Sequence, residues 1–127
     1  MIIVYTYVVA DILHRGHLQY LKNAKALGDK LVVGVLTDKA VMEKKPKPVI
    51  SFVERFDIVD SLDCVDLVIA QATYSPKHNI NIIKPDILIE SDSHDKPLNN
   101  PFGRTLILPY FPTQSSTKIK EKIHDKS

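Results

Sequence analysis

Asp11-Ile12-Leu13-His14-Arg15-Gly16-His17 directly follows an apolar run, Ile2 to Ala10, and places two imidazoles one helical turn apart with a glycine between them. Where a strand gives way to a helix, the first backbone N–H groups lack intrahelical acceptors and the helix end carries partial positive charge. An anion, and a triphosphate in particular, is suited to that place. His14 and His17 add donors of matching sign, and Gly16 lets the backbone approach a ligand with no Cβ in the way. Asp11 can cap the helix, orient a ligand, or do both. The histidine pair could also bind a transition metal with Asp11 or Asp92 as partner, but the lysines and hydroxyls nearby suit an anion better, and no metal site is expected.

The elements that must position these residues alternate along the chain. The apolar pattern predicts a first strand over Ile2 to Val9 and a helix from Gly16 to Leu27, with Leu18, Leu21, Ala24 and Leu27 at helical spacing and Gly28 as its C′ stop. Leu31 to Leu36 reads as a strand buried on both faces. A lysine- and proline-rich loop, Thr37 to Ile50, follows. Ser51-Phe52-Val53-Glu54 reads as a capping box opening a helix to about Leu62. Val65 to Ala70 is a third strand, and Ser75-Pro76 starts a helix reaching Lys84, with Ser75 as cap and Pro76 as first helical residue. Strands at Ile87 to Glu90 and Thr105 to Leu108 precede a last helix beginning near Ser115 or Ser116. This alternation predicts a single α/β domain over residues 1–127, Rossmann-like, with a mostly parallel open sheet of about five strands flanked by helices. Ligands bind such sheets outside the carboxyl ends of the strands. That rule gathers Asp11, His14 and His17; Lys44, Lys45 and Lys47; Asp92 and His94; and Ser115, Ser116 and Thr117 around one crevice, an inventory fit for phosphate.

Composition excludes other classes. The chain has 127 residues with 17 basic and 15 acidic side chains, so broad electrostatic binding to nucleic acid or a membrane surface is not expected. Cys64 is the only cysteine, which leaves no internal disulfide, fits a reducing compartment, and reads as a small packed apolar group. No secretory signal pattern opens the sequence, and no apolar stretch approaches the roughly 20 residues needed to span a bilayer. A cytoplasmic location is the expectation.

Tyr5 to Asp11 with His14-Arg15-Gly16-His17, then Ala24 to Asp29, Val32 to Asp38, Glu54-Arg55 and Ser115-Ser116-Thr117-Lys118-Ile119 resemble the cytidylyltransferases typified by glycerol-3-phosphate cytidylyltransferase, of the His-x-Gly-His nucleotidyltransferase superfamily. The wording Val9-Ala10-Asp11, Gly34-Val35-Leu36-Thr37-Asp38 and Gln114-Ser115-Ser116-Thr117 is most similar to phosphonate-pathway cytidylyltransferases, some of which are fused to a partner enzyme of the pathway. The resemblance implies transfer of CMP from CTP to a small phosphonate or phosphorylated alcohol with release of pyrophosphate, by a homodimer, with Mg2+ carried in on the triphosphate. It implies that His14 and His17 stabilise the transition state and that Lys44 grips acceptor and α-phosphate. Val8, Val9, Ala10, Asp11, Gly16, Asp92, Ser115, Ser116 and Thr117 would contact nucleotide, and Lys45, Lys47 and Arg55 would meet acceptor or phosphate.

Several positions depart from the glycerol-3-phosphate type. Those relatives carry Gly-Thr-Phe-Asp where this chain has Val8-Val9-Ala10-Asp11, and Gly-Asp-Asp-Trp where it has Ser91-Asp92-Ser93-His94. An arginine ahead of their Ser-Thr-Thr motif is Tyr110 here, and Pro46 separates Lys44-Lys45 from Lys47. These changes leave room for another acceptor or for a domain that binds nucleotide without turnover, and because the phosphate motifs do not distinguish cytosine from adenine, adenylyl transfer of the flavin nucleotide synthase type is a further alternative. The loop lysines, Asp92 and His94 also have a plainer reading as solvated surface.

Overall fold

The structure is a computed structural model that describes residues 1–92 and 98–109. Its elements run β1 (Ile3–Val8), α1 (Arg15–Lys25), β2 (Lys30–Leu36), α2 (Asp38–Val41), α3 (Phe52–Asp60), β3 (Leu67–Gln71), α4 (Lys77–Ile83), β4 (Ile87–Ser91) and β5 (Arg104–Leu108). The five strands form one sheet in the order β3-β2-β1-β4-β5, and every paired neighbour is parallel. The expected α/β architecture is therefore present, with a fully parallel described sheet. The chain builds outward from β1 to β3, then returns to the other side of β1 to add β4 and β5. The order reverses between β1 and β4, where a crevice opens at the carboxyl ends of the strands.

Alternation along the strands sends side chains to two cores. Val4, Val8, Leu31, Val33, Val35, Ile87 and Ile89 pack with Tyr20, Leu21 and Ala24 of α1 and Val59 of α3. Tyr5, Val32 and Leu88 meet Ile80 of α4 on the opposite face. Burying one such aliphatic side chain contributes roughly 1.5–3 kcal/mol, enough to fix strand register. Cys64 packs at the margin of the first core, and burial pushes its thiol above the ordinary range.

The helix ends differ from expectation in instructive ways. His14, not Asp11, is the N-cap of α1. That helix stops at Ala26 in right-handed conformation, and no glycine of the described chain has positive φ. Gly28 is needed for another reason: a Cβ there would stand 2.6 Å from Val4 Cγ2 and 2.9 Å from the Ile2 carbonyl oxygen. Within the expected loop, Thr37 Oγ1 accepts from Ala40 N–H (3.1 Å) and starts the short α2. Ser51 caps α3 as expected, accepting from Glu54 N–H at 3.3 Å and donating to its carboxylate at 3.1 Å. Pro76 takes the N-cap place of α4 instead of its first helical position, and left-handed Lys84 (φ 52°) ends that helix before Pro85.

Candidate functional site

A cavity of about 600 Å³ opens at the carboxyl ends of β1, β2 and β4, bounded by Tyr7, Val8, Leu36 and Ser91. Its remaining wall comes from the β1–α1 turn (Val9 to Ile12, His14, His17), from Val41 and the segment Lys45 to Val49, and from Tyr74 after β3. The structure thus brings together the first strand turn and the lysine-rich loop.

The two histidines cap α1 reciprocally. Gly16 N–H donates to His14 Nδ1 at 2.9 Å, and His14 N–H donates to His17 Nδ1 at 3.2 Å. With Nδ1 of each ring serving as acceptor, each neutral imidazole carries its proton on Nε2. The ring centroids lie 4.1 Å apart. Burial, followed by the neighbouring His14, lowers the pKa of His17 from its ordinary 6.5 to about 4, so it is a neutral donor at pH 7. Two Nε2–H donors at a helix N-terminus can hydrogen-bond the non-bridging oxygens of a phosphate chain.

Arg55 was expected to touch phosphate, and the structure corrects that reading. Its side chain is fully buried, with NH1 donating to the carbonyls of Val9 and Leu36 (both 2.7 Å), Nε to that of Ile50 (3.0 Å) and NH2 to Asp38 Oδ1 (2.7 Å). It ties the ends of β1 and β2 together beneath the cavity. Asp11 is on the cavity wall, but its carboxylate accepts from Val49 N–H (3.1 Å) and Ile50 N–H (2.8 Å), bonds that hold it below the usual carboxylate range. Between these two residues, Ala10 is buried in the left-handed region at φ 58°, a strained place for a residue with a Cβ.

Other expected residues fall variously. Val8, Val9, Lys45 and Lys47 line the cavity. Lys44 lies outside that lining, its ammonium 5.7 Å from the centre of the Tyr74 ring, which is part of the wall. Gly16 is buried behind His14 and contributes its N–H to the cap, not to the wall. Asp92 is exposed off the wall, and its N–H donates to the Leu108 carbonyl at 3.1 Å. His94, Tyr110, Ser115, Ser116, Thr117 and Lys118 lie outside the described residues.

Two tyrosines were not anticipated. Tyr7 donates its hydroxyl to the buried Glu90 carboxylate (2.7 and 3.0 Å), which fixes the ring against the cavity. Burial pushes Glu90 upward while this bond pulls it down, and burial and the Glu90 charge together push Tyr7 upward. Tyr74 is held at its N–H by Glu43 and at its carbonyl by Gln71 (both 3.1 Å). The available signal was position: both stand at or just beyond the carboxyl end of a strand.

Fold and site define an α/β nucleotidyltransferase-type domain. Residues 6–122 match the family described as cytidylyltransferase-like, and the chain belongs to that family. The bifunctional protein HldE of Helicobacter pylori strain P12 is 36% identical over 126 residues, covering 95% of this chain and 27% of that protein. HldE of Citrifermentans bemidjiense is 34% identical over 130 residues with the same coverage. The chain therefore spans about a quarter of the length of these relatives. Among solved structures, the lipopolysaccharide core biosynthesis protein of Thermoplasma volcanium superposes with a TM-score of 0.73 at 28% identity, over 87% of this chain and 97% of that one. Pantoate-β-alanine ligase of Francisella tularensis (TM-score 0.57, 15% identity, 94% of this chain, 65% of that one) shares the fold alone.

Proposed function

We propose that this domain moves a nucleotidyl group from a nucleoside triphosphate to the phosphate oxygen of a small, hydroxyl-bearing acceptor. The reciprocal histidine cap at the cavity carries this reading: both Nδ1 atoms accept backbone N–H groups, so each neutral ring has an Nε2 proton to donate. An acceptor oxygen attacks the α-phosphorus, the new P–O bond forms, the bond to the bridging oxygen breaks, and pyrophosphate leaves. Such a reaction needs alignment and neutralisation of charge on phosphoryl oxygens more than covalent help from the protein. His14 and His17 stabilise those oxygens. Lys45 and Lys47 from the wall, and Lys44 from beside Tyr74, grip α-phosphate and acceptor. Ser115, Ser116 and Thr117 hold the departing phosphates.

Among the described residues, no three His, Cys, Asp or Glu side chains gather to hold a metal ion, and Asp11 is committed to backbone amides. That donor set fits Mg2+ arriving on the triphosphate, coordinated by phosphate and water oxygens and supplying further charge neutralisation.

CTP is the donor the family resemblance implies. The acceptor reading draws on the relatives: similarity to a lipopolysaccharide core biosynthesis protein favours a sugar phosphate over a phosphonate. The much greater length of the bifunctional relatives is compatible with a second enzyme working beside this domain, fused or separate.

Pyrophosphate release with Mg2+ tests the proposal, crossing CTP and ATP against sugar 1-phosphates, glycerol 3-phosphate, 2-hydroxyethylphosphonate, 2-aminoethylphosphonate, phosphocholine, phosphoethanolamine and riboflavin phosphate. Release with CTP and a sugar phosphate is the expected result. Release with ATP alone overturns the cytidylyl donor and keeps the mechanism. Nucleotide binding with no release from any pair replaces the enzyme by a nucleotide-binding domain.

A further inference from the structure

We infer that Asp11 is a positioning residue: its carboxylate clasps the strap of residues 42–50 and thereby sets Lys45 and Lys47 on the cavity wall, without itself contacting the nucleotide. The inference rests on reading the cavity as a polyphosphate site.

Both carboxylate oxygens are engaged by consecutive amides of the strap's end, Oδ2 by Val49 N–H at 3.1 Å and Oδ1 by Ile50 N–H at 2.8 Å. Arg55 grips the same junction through its carbonyls, donating to Ile50 O at 3.0 Å and Val9 O at 2.7 Å. Residues 49–50 are thus fastened to residues 9–11 by their N–H and C=O groups alike.

Apolar packing does only part of this work. Lys44 to Lys47 are exposed and Val49 is 85% exposed, so of residues 44–49 Pro48 alone is buried. Pro46 and Pro48 restrict φ on either side of Lys47, which makes the arm stiff enough for an anchor at its end to fix the lysines.

The clasp also accounts for a carboxylate beside an anion site. A carboxylate near phosphate is repulsive, so its removal should tighten anion binding if charge were all that mattered. A carboxylate that holds two lysines in place has the opposite sign of effect.

Calorimetric titration of the full chain with inorganic triphosphate separates the two. Asp11→Ala is expected to weaken binding about tenfold, and Asp11→Asn, which loses the charge but keeps one acceptor oxygen, to recover most of it. In a Lys45→Ala/Lys47→Ala background, Asp11→Ala should have no further effect. Amide hydrogen exchange should accelerate at Val49 and Ile50 in Asp11→Ala while the β2 amides stay protected, which excludes general unfolding. Tighter or unchanged binding in Asp11→Ala, or a loss that persists without the two lysines, overturns the clasp. If the wild-type chain fails to bind triphosphate, the functional reading falls, and exchange at Val49 and Ile50 decides the clasp alone: unchanged rates overturn it.

Discussion

The two ends of the sheet solve opposite problems. In a parallel sheet every strand starts at one end, leaving N–H groups without partners, and finishes at the other, leaving carbonyls. At the amino end carboxylates close the gap: Asp29 accepts from Ile2 N–H (2.6 Å), Asp86 from Ile3 N–H (2.8 Å), and Asp66 from Leu31 N–H (2.7 Å) and the Lys25 ammonium (2.7 Å). At the carboxyl end a cation does so, with Arg55 holding the carbonyls of Val9 and Leu36. Carboxylates cap strand starts at one end and a guanidinium caps strand ends at the other, which a net charge of +2 conceals. The amino end is finished by its own side chains. Beyond Arg55, the carboxyl end still presents histidines and lysines to a cavity.

The asymmetry can be broken by substitution. Arg55→Leu leaves three carbonyls and Asp38 without their donor, and a loss of about 3–5 kcal/mol in denaturant unfolding is expected. His17→Ala should lower turnover by about 10²–10³-fold with a much smaller loss of nucleotide affinity, since a donor aimed at developing charge counts most in the transition state. At the amino end, Asp66→Ala exposes no catalytic group and should cost about 1–3 kcal/mol of stability with turnover within about twofold of wild type. An equal loss of turnover in Asp66→Ala and His17→Ala would erase the distinction between the ends.

Acid sharpens it. His17 titrates near 4 when folded and near 6.5 when unfolded, so between these values the unfolded chain binds the extra proton. Its contribution to stability is complete above about pH 6.5 and is lost as pH falls towards 4; a comparison of wild type with His17→Gln across that range measures it. Triphosphate at the site favours the imidazolium, so binding should take up a proton and tighten below neutrality. The smallest effect is expected at Ala10→Gly, within about 1 kcal/mol of wild type, because relief at φ 58° is offset by a lost buried methyl and by glycine's greater entropy when unfolded.

Much of the fold was legible because burial on both faces writes itself into β1 and β2 as largely apolar runs. Their predicted limits differ from Ile3–Val8 and Lys30–Leu36 by a residue at some ends. The four-residue α2 was not legible, since one turn carries no periodicity. His14 and His17 could be placed near the cavity from their spacing after β1, and their reciprocal cap could not. Charge type misled at Arg55, where a guanidinium that looked suited to phosphate is consumed by backbone carbonyls. Local capping chemistry misled at Asp11, whose carboxylate accepts from the Val49 and Ile50 amides while His14 caps the helix.

The sequence by itself determined the order of the five strands, the helix start at the histidine pair, and the family, because these depend on local periodicity, capping chemistry and motif spacing. Tertiary structure alone decided which polar groups are spent within the fold and which face the cavity. Asp11 meets residues 38 and 39 positions away, and Arg55 meets Val9 46 positions away. Hydrogen-bond partners are chosen by proximity in space, and at such separations only the folded sheet sets it.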